Sequence, residues 1–140
     1  GLPLFEASYY GLPVICPDWS GQCDFLYAPI KNKKTGKQTL KPHFARVDYD
    51  LQPIQKEAEW AGVLHPGSMW CYPKKNSYKS RLRDVYKDHK RHLSQSKKLR
   101  KYLLKEFTPE KMYDKFVDAM GVEEIFKSGE KQEQSRGLVL

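Results

Sequence analysis

Residues 1–26 read GLPLFEASYYGLPVICPDWSGQCDFL, and the order of signals in this stretch decides the fold. Pro3 stands where a helix tolerates proline best, because its φ is pre-set and its missing N–H has no partner to lose in the first turn. A short helix from about Pro3 to Tyr10, closed by Gly11, is the expectation. Directly after it, LPVICPD is a β-branched apolar run bounded by prolines, too short for a helix and apolar on both faces, so it is read as a strand buried in a parallel sheet. WSGQCDFL then supplies a glycine turn and a single helical turn over about Gln22 to Leu26. Helix, buried strand, turn and helix in this order make an α/β chain.

YAPI and TLKPHFARVDYDLQPI flank the polar KNKKTGKQ, which carries a Thr-Gly turn, so residues 27–54 are expected to make a hairpin-like excursion with prolines confining its strands to edges. QKEAEWAGVLHPGSMWCYP is expected to be an ordered loop ending in a strand near Met69 to Tyr72, with Trp60 and Trp70 as its packing anchors or as platforms for a sugar face. The last third is helical by periodicity. Tyr78, Leu82, Val85, Tyr86, His89 and Leu93 form one stripe expected to face a core, with His89 packed in it, and Leu99, Tyr102, Leu103 and Phe107 form a second after a break near Ser94 to Ser96. Thr108-Pro109 reads as an N-cap with proline at the first helical position, opening a third helix marked by Met112, Tyr113, Phe116, Val117 and Met120 and ended by Gly121. From Ser128 the chain is nearly free of apolar residues until its last three, and is expected to be a mobile tail.

Length and composition bound the function classes. The 140 residues, 39% hydrophobic and 13% aromatic, suffice for one compact domain with a core. No run of 18 apolar residues and no basic-then-apolar leader appears, so a soluble, cytoplasmic protein is expected. Cys16, Cys23 and Cys71 are odd in number, lack a CxxC pair and have no histidine at metal-ligand spacing, which argues against a disulfide framework and a zinc site and for reduced, buried thiols. The net charge of +8 is concentrated: residues 74–105 hold thirteen Lys or Arg against Asp84 and Asp88, and the remainder of the chain sums to −3. Such a field attracts nucleic acid, anionic lipid or a phosphorylated substrate, and charge alone does not choose among them.

Glu6 carries the sharpest question. An acid in the opening turn of a helix gains roughly 0.3–1 kcal/mol from the macrodipole with no function attached. Alternatively, the N–H groups around Leu2 to Phe5 hold a phosphate while Glu6 accepts hydrogen bonds from the hydroxyls of a sugar ring. His43, His65, His89 and His92 show no partner that would make any of them a catalytic base.

The opening stretch resembles the donor-binding segment of the retaining nucleotide-sugar glycosyltransferases built from two Rossmann-like domains. Their pattern runs Glu-Gly-Phe-Gly-Leu-Pro, two residues, Glu-Ala, three residues, Gly-x-Pro-Val-Ile, and later Gly-Gly-x-x-Glu. Gly1, Leu2, Pro3, Glu6, Ala7, Gly11, Pro13, Val14 and Ile15 match in type and spacing. ARVDYDLQPIQ, GSMWCYP, SYKSRLRDVYKD and KYLLKEFTPEKMYDKF are more loosely similar to the distal part of that domain, taking the likeness to about residue 120.

The resemblance implies a partial Rossmann-like parallel sheet with a hairpin and loop insertion and three closing helices. The donor-binding piece would be residues 1–127 and the tail 128–140. It implies that Gly1, Leu2 and Pro3 lie beside the phosphates and sugar of a nucleoside-diphosphate sugar and that Glu6 meets its ribose. Gly21 matches the second glycine of the Gly-Gly turn, Ser20 replaces the first, and Asp24 stands where the family often has Glu. The family's other acid would lie three residues ahead of Gly1, and its basic pyrophosphate-holding pair and acceptor-binding N-terminal domain are likewise outside this sequence. The family uses no metal and no cofactor besides the donor. The chain is therefore expected to be an inactive part of a hexosyltransferase that self-associates into a homo-oligomer when alone. Lys97, Lys98, Arg100 and Lys101 are a further candidate, resting on an anionic membrane surface. The rival reading is a basic nucleic-acid-binding module, which the absence of zinc-finger, helix-turn-helix or aromatic-sheet motifs weakens.

Overall fold

The computed structural model describes residues 1–121, and the expected tail at 128–140 lies outside the described residues. The chain divides into two compact units, Gly1–Leu103 and a second beginning at Leu104. The architecture is mixed α/β.

In the first unit, helix α1 (Leu2–Tyr9) is followed by strand β1 (Ile15–Pro17), a 3₁₀ turn (Ser20–Gln22) and the one-turn helix α2 (Cys23–Leu26). Strands β2 (Tyr27–Lys31) and β3 (Gln38–Pro42) form an antiparallel ribbon, paired from Tyr27↔Pro42 to Lys31↔Gln38. Strand β4 (Ala45–Val47) then returns to lie parallel to β1, with Ile15 opposite Ala45 and Pro17 opposite Val47. Strands β5 (Tyr49–Pro53) and β6 (Met69–Pro73) make a second antiparallel ribbon. Helices α3 (Lys75–Lys87) and α4 (His89–Glu106) follow, and α5 (Pro109–Ala119) belongs to the second unit.

The opening stretch folds in the order its residues dictate. Tyr10 caps α1 and Gly11 takes φ +80°, a conformation that disfavours a Cβ; one added there would stand 3.2 Å from Arg100 Cδ. Glu6, however, is the fifth residue of α1, beyond the opening turn in which the sequence placed it, because the helix begins at Leu2 with Gly1 as its N-cap. Val14, Cys16, Ala45 and Val47 are buried around the parallel pair, and Phe25, Leu26, Ala28 and Phe44 extend that core beneath α2 and the first ribbon. Removing this apolar surface from water is the main stabilising term of so small a sheet. Phe5 meets Phe25 edge-on at 5.3 Å between ring centroids, locking α1 onto α2.

The helical third departs from the expected stripes. The break falls at Asp88 (φ −121°, ψ 51°), and α4 runs straight through Ser94 to Ser96. Ser96 is accommodated inside the helix because its hydroxyl donates back to the His92 carbonyl at 3.0 Å. The inward face of α4 is His92, Ser96, Leu99 and Leu103, so His92 is the packed histidine and His89 is exposed. On α3 the polar face turns inward: Ser77, Arg81, Asp84 and Val85 are half-buried, while Tyr78, Leu82 and Tyr86 face solvent. Polar anchoring outweighs the apolar stripe there, since the Ser77 hydroxyl accepts from the Asp48 N–H at 2.9 Å and Arg81 Nε donates to the Arg46 carbonyl at 2.9 Å.

Trp60 is not a buried anchor either. Its segment folds back on itself through the Trp60–Leu64 backbone pair, leaving the ring 66% exposed. In the second unit Thr108 caps α5 as its sequence signals, its hydroxyl accepting from Lys111 N–H, and Gly121 takes φ +62°. Among the described residues no helix is long and apolar enough to cross a membrane.

Candidate functional site

Parallel strands leave their carboxyl ends on one rim, and chain that continues past that rim tends to gather ligand-binding groups there. Here β1 ends at Pro17 and β4 at Val47, and each is followed at once by an aspartate, Asp18 and Asp48. Arg46 enters from β4, Tyr49 opens β5, and Arg81 reaches over from α3. Together with Val47 they line a cleft of about 300 Å³.

Asp18 is the best-anchored side chain of this cleft. It accepts from the Tyr27 hydroxyl at 2.7 and 2.8 Å, from Arg46 Nη1 at 3.3 Å and from the Cys23 thiol at 3.5 Å. Burial and the bond to Asp18 push the Tyr27 phenol above its ordinary pKa, with Arg46 opposing them. The hydrogen bond from Arg46 to Asp18 holds its guanidinium more firmly charged. Arg81 makes no ion pair among the described residues, and the carboxylate of Asp48 has no hydrogen-bond partner among them.

The surroundings of all three cysteines favour the neutral thiol. Burial, with smaller contributions from Cys23, Asp18 and Cys71, raises the Cys16 pKa to about 12. Burial likewise raises Cys23, helped by its hydrogen bond to Asp18, and Cys71. All three are free thiols, Cys16 buried and the other two half-buried. Among the described residues no group of three or more His, Cys, Asp or Glu is placed to hold a metal ion.

Of the residues singled out in the opening stretch, Gly1 is brought against the segment that follows β1. A Cβ added to Gly1 would stand 3.7 Å from the Phe25 ring and 3.8 Å from Gln22 Cβ, and Gln22 Nε2 in turn donates to the Pro17 carbonyl at 3.2 Å. The start of α1, the turn holding Gly21 and the end of β1 are thereby in mutual contact. The N–H groups of Leu4 and Phe5 both donate to the Gly1 carbonyl at 3.1 Å, so within this tip Leu2 keeps the one helical N–H not turned inward, Pro3 having none. Glu6 and Asp24 are exposed carboxylates with no hydrogen bond or ion pair among the described residues. Neither lines the cleft of Asp18 and Arg81.

Ser20, between Trp19 and Gly21, has φ +68° and is the one described residue other than glycine with a positive φ. The chain arrives extended at Trp19 (φ −151°, ψ 149°) and must reverse into the 3₁₀ turn, which the left-handed residue does. A non-glycine residue held there marks a turn that the surroundings enforce.

Behind Arg81 lies a second cleft, of about 230 Å³, whose lining includes Arg46, Asp84, Arg91, His92 and Gln95. Arg91 Nη2 reaches His92 Nε2 at 2.9 Å and Asp84 at 3.1 and 3.2 Å, and Arg91 Nε reaches Asp88 at 2.8 Å. Asp84 Oδ2 is also 3.2 Å from His92 Nε2, and one nitrogen cannot accept from the guanidinium and donate to the carboxylate at once. Burial pushes the Asp84 carboxyl up, but hydrogen bonds from His92 and Arg91 outweigh it and hold its pKa low. The cluster ties α3 to α4 across the Asp88 break.

No protein-family model, curated protein or solved structure matches the chain.

The aspartates that follow β1 and β4 are not singled out by the sequence. Their signal is present in VICPD and ARVD, two short apolar runs each closed by Asp, but pairing of the second run with the first is a tertiary fact.

Proposed function

We propose that this chain is part of a retaining nucleotide-sugar glycosyltransferase, its parallel strands belonging to a Rossmann-like donor-binding domain whose remainder lies outside this sequence. The observation that carries the reading is the meeting of two motif segments. Gly1 at the start of α1 lies against Gln22 and Phe25 of the turn after β1, and Gln22 is bonded to the end of that strand. The nine positions shared with the glycosyltransferase pattern add to it.

In this reading the Leu2 N–H and the positive end of α1 face the donor's phosphates, and Glu6 accepts from ribose hydroxyls. Glu6 is exposed and has no hydrogen-bond or ion-pair partner among the described residues, which leaves its oxygens available for that role. Gly21 and Asp24, in and just after the turn that follows β1, would meet the same donor in this reading. Transfer would break the bond between the sugar and the diphosphate, and preorganised donors near the leaving phosphate would offset the charge that develops there. The chain alone would bind donor without turning it over.

Calorimetric titration of UDP-, GDP- and ADP-sugars against the chain and its Glu6→Ala variant tests the proposal. One base is expected to bind in preference to the others. A carboxylate hydrogen-bonded to ribose contributes about 1.5–3 kcal/mol, so Glu6→Ala should weaken that donor about tenfold or more. Equal affinity in both proteins, or no binding of any nucleotide sugar, would sink the assignment.

A further inference from the structure

The segment from Pro29 to Lys41 contains five lysines and no acid, and all thirteen of its residues are exposed. It is far in sequence from the basic helices, but the fold joins the two. Gln95 Nε2 on α4 donates to the Pro42 carbonyl at the root of the ribbon at 2.8 Å. A cleft of about 370 Å³ runs between Ile30 and His43 on one side and Ser94, Gln95 and Lys98 on the other. Ser94 and Lys98 also line the neighbouring groove of about 480 Å³ along α4, with Lys90, Leu93, Lys97 and Lys101. None of the lysines of the ribbon or of this groove forms an ion pair among the described residues. Arg100 is not part of this surface, because its Nε is turned to the Tyr9 carbonyl at 3.0 Å.

Charge leaves the identity of the partner open, and the apolar residues of the ribbon decide it. Ile30 is 48% and Leu40 64% exposed. Directly paired residues share a face, so the pairs Ile30↔Thr39 and Pro29↔Leu40 place these two aliphatic side chains on opposite faces of the ribbon. A flat partner covers one face only. Both faces lose water together where the ribbon dips into a medium that surrounds it, as the boundary between lipid headgroups and acyl chains does. Single-stranded nucleic acid would instead call for aromatic rings to stack on, and residues 28–42 contain none.

We propose that the β2–β3 ribbon and the lysine face of α4 form one surface that binds an anionic lipid bilayer. The lysines of both elements meet the headgroup phosphates, and Ile30 and Leu40 enter the interface.

The test is co-sedimentation of the full chain with phosphatidylcholine vesicles with and without phosphatidylglycerol. Binding is expected only with the anionic lipid and should weaken with added salt. Each lysine near such a surface changes affinity about fivefold, so Lys33→Gln with Lys34→Gln should weaken binding about twenty-five-fold and Lys98→Gln about fivefold. All three positions are exposed, so the fold should tolerate the changes. Leu40→Ser keeps the charge and should also weaken vesicle binding. Equal binding to neutral vesicles, or lysine variants that bind like the parent, would overturn the proposal. Unchanged binding of Leu40→Ser together with displacement of vesicles by single-stranded RNA would replace it with a nucleic-acid surface. No sugar nucleotide enters the measurement, so its outcome is independent of the glycosyltransferase reading.

Discussion

Replacing Ser20 by glycine should stabilise the protein. Ser20 holds φ +68° in the turn that carries the chain from the end of β1 into α2. The left-handed region costs a residue with a Cβ about 1–2 kcal/mol. Glycine removes that cost but gives the unfolded chain more freedom, worth roughly 0.5–1 kcal/mol in the other direction. The Ser20 side chain is exposed and makes no hydrogen bond among the described residues, so its removal orphans no partner. The balance is a gain of about 0.5–1 kcal/mol, or a rise in Tm of about 2–5 °C. Thermal and urea unfolding followed by circular dichroism measure it, with Ser20→Val as the opposing control, since a β-branched residue at this φ should destabilise by about 1–3 kcal/mol. If glycine proves neutral or harmful while valine is tolerated, the turn relaxes out of the left-handed region and is not enforced by its surroundings.

Other expectations follow from burial and ionisation. Leu103→Ala, at a position with 0% exposure, should cost about 2–5 kcal/mol, whereas Tyr86→Ala on the exposed side of α3 should stay within about 0.5 kcal/mol; urea midpoints separate the two. The buried Cys16 thiol, raised from 9.0 to about 12, contributes stability that is complete below pH 9 and lost as the pH climbs toward 12, because the unfolded chain ionises first. Cys16→Ala should flatten that alkaline decline, and an unchanged slope would refute the assignment. At the acid end, Asp84, Asp88, Glu106 and Glu110 are held below their ordinary values by their hydrogen-bond partners, so their contribution is present above the usual carboxylate range and fades as the pH falls through it.

Local chemistry made much of this fold legible. Pro3 and Gly11 bracket a helix, Thr108-Pro109 opens another, and Thr35-Gly36 turns a ribbon, because each depends on a residue's own φ or its own hydroxyl. Non-local choices were not legible. ARV pairs in parallel with ICP across an intervening helix and ribbon, which no spacing encodes. Periodicity also misassigned the inward face of α3, where Ser77 and Arg81 take the sheet side by bonding Asp48 and Arg46, and partners of that kind appear only once the strands are in place. The same limit hid the cleft, whose side chains come from three separate stretches of the chain.

Tyr27 belongs to two parts of the molecule at once. It is the first residue of β2, joined to α2 without a connector, and its hydroxyl holds Asp18. The five-residue strand it begins reaches about 17 Å outward. The arm and the rim carboxylate thus share one residue, and removing the Tyr27 hydroxyl alone leaves Asp18 to its guanidinium and thiol neighbours without shortening the arm.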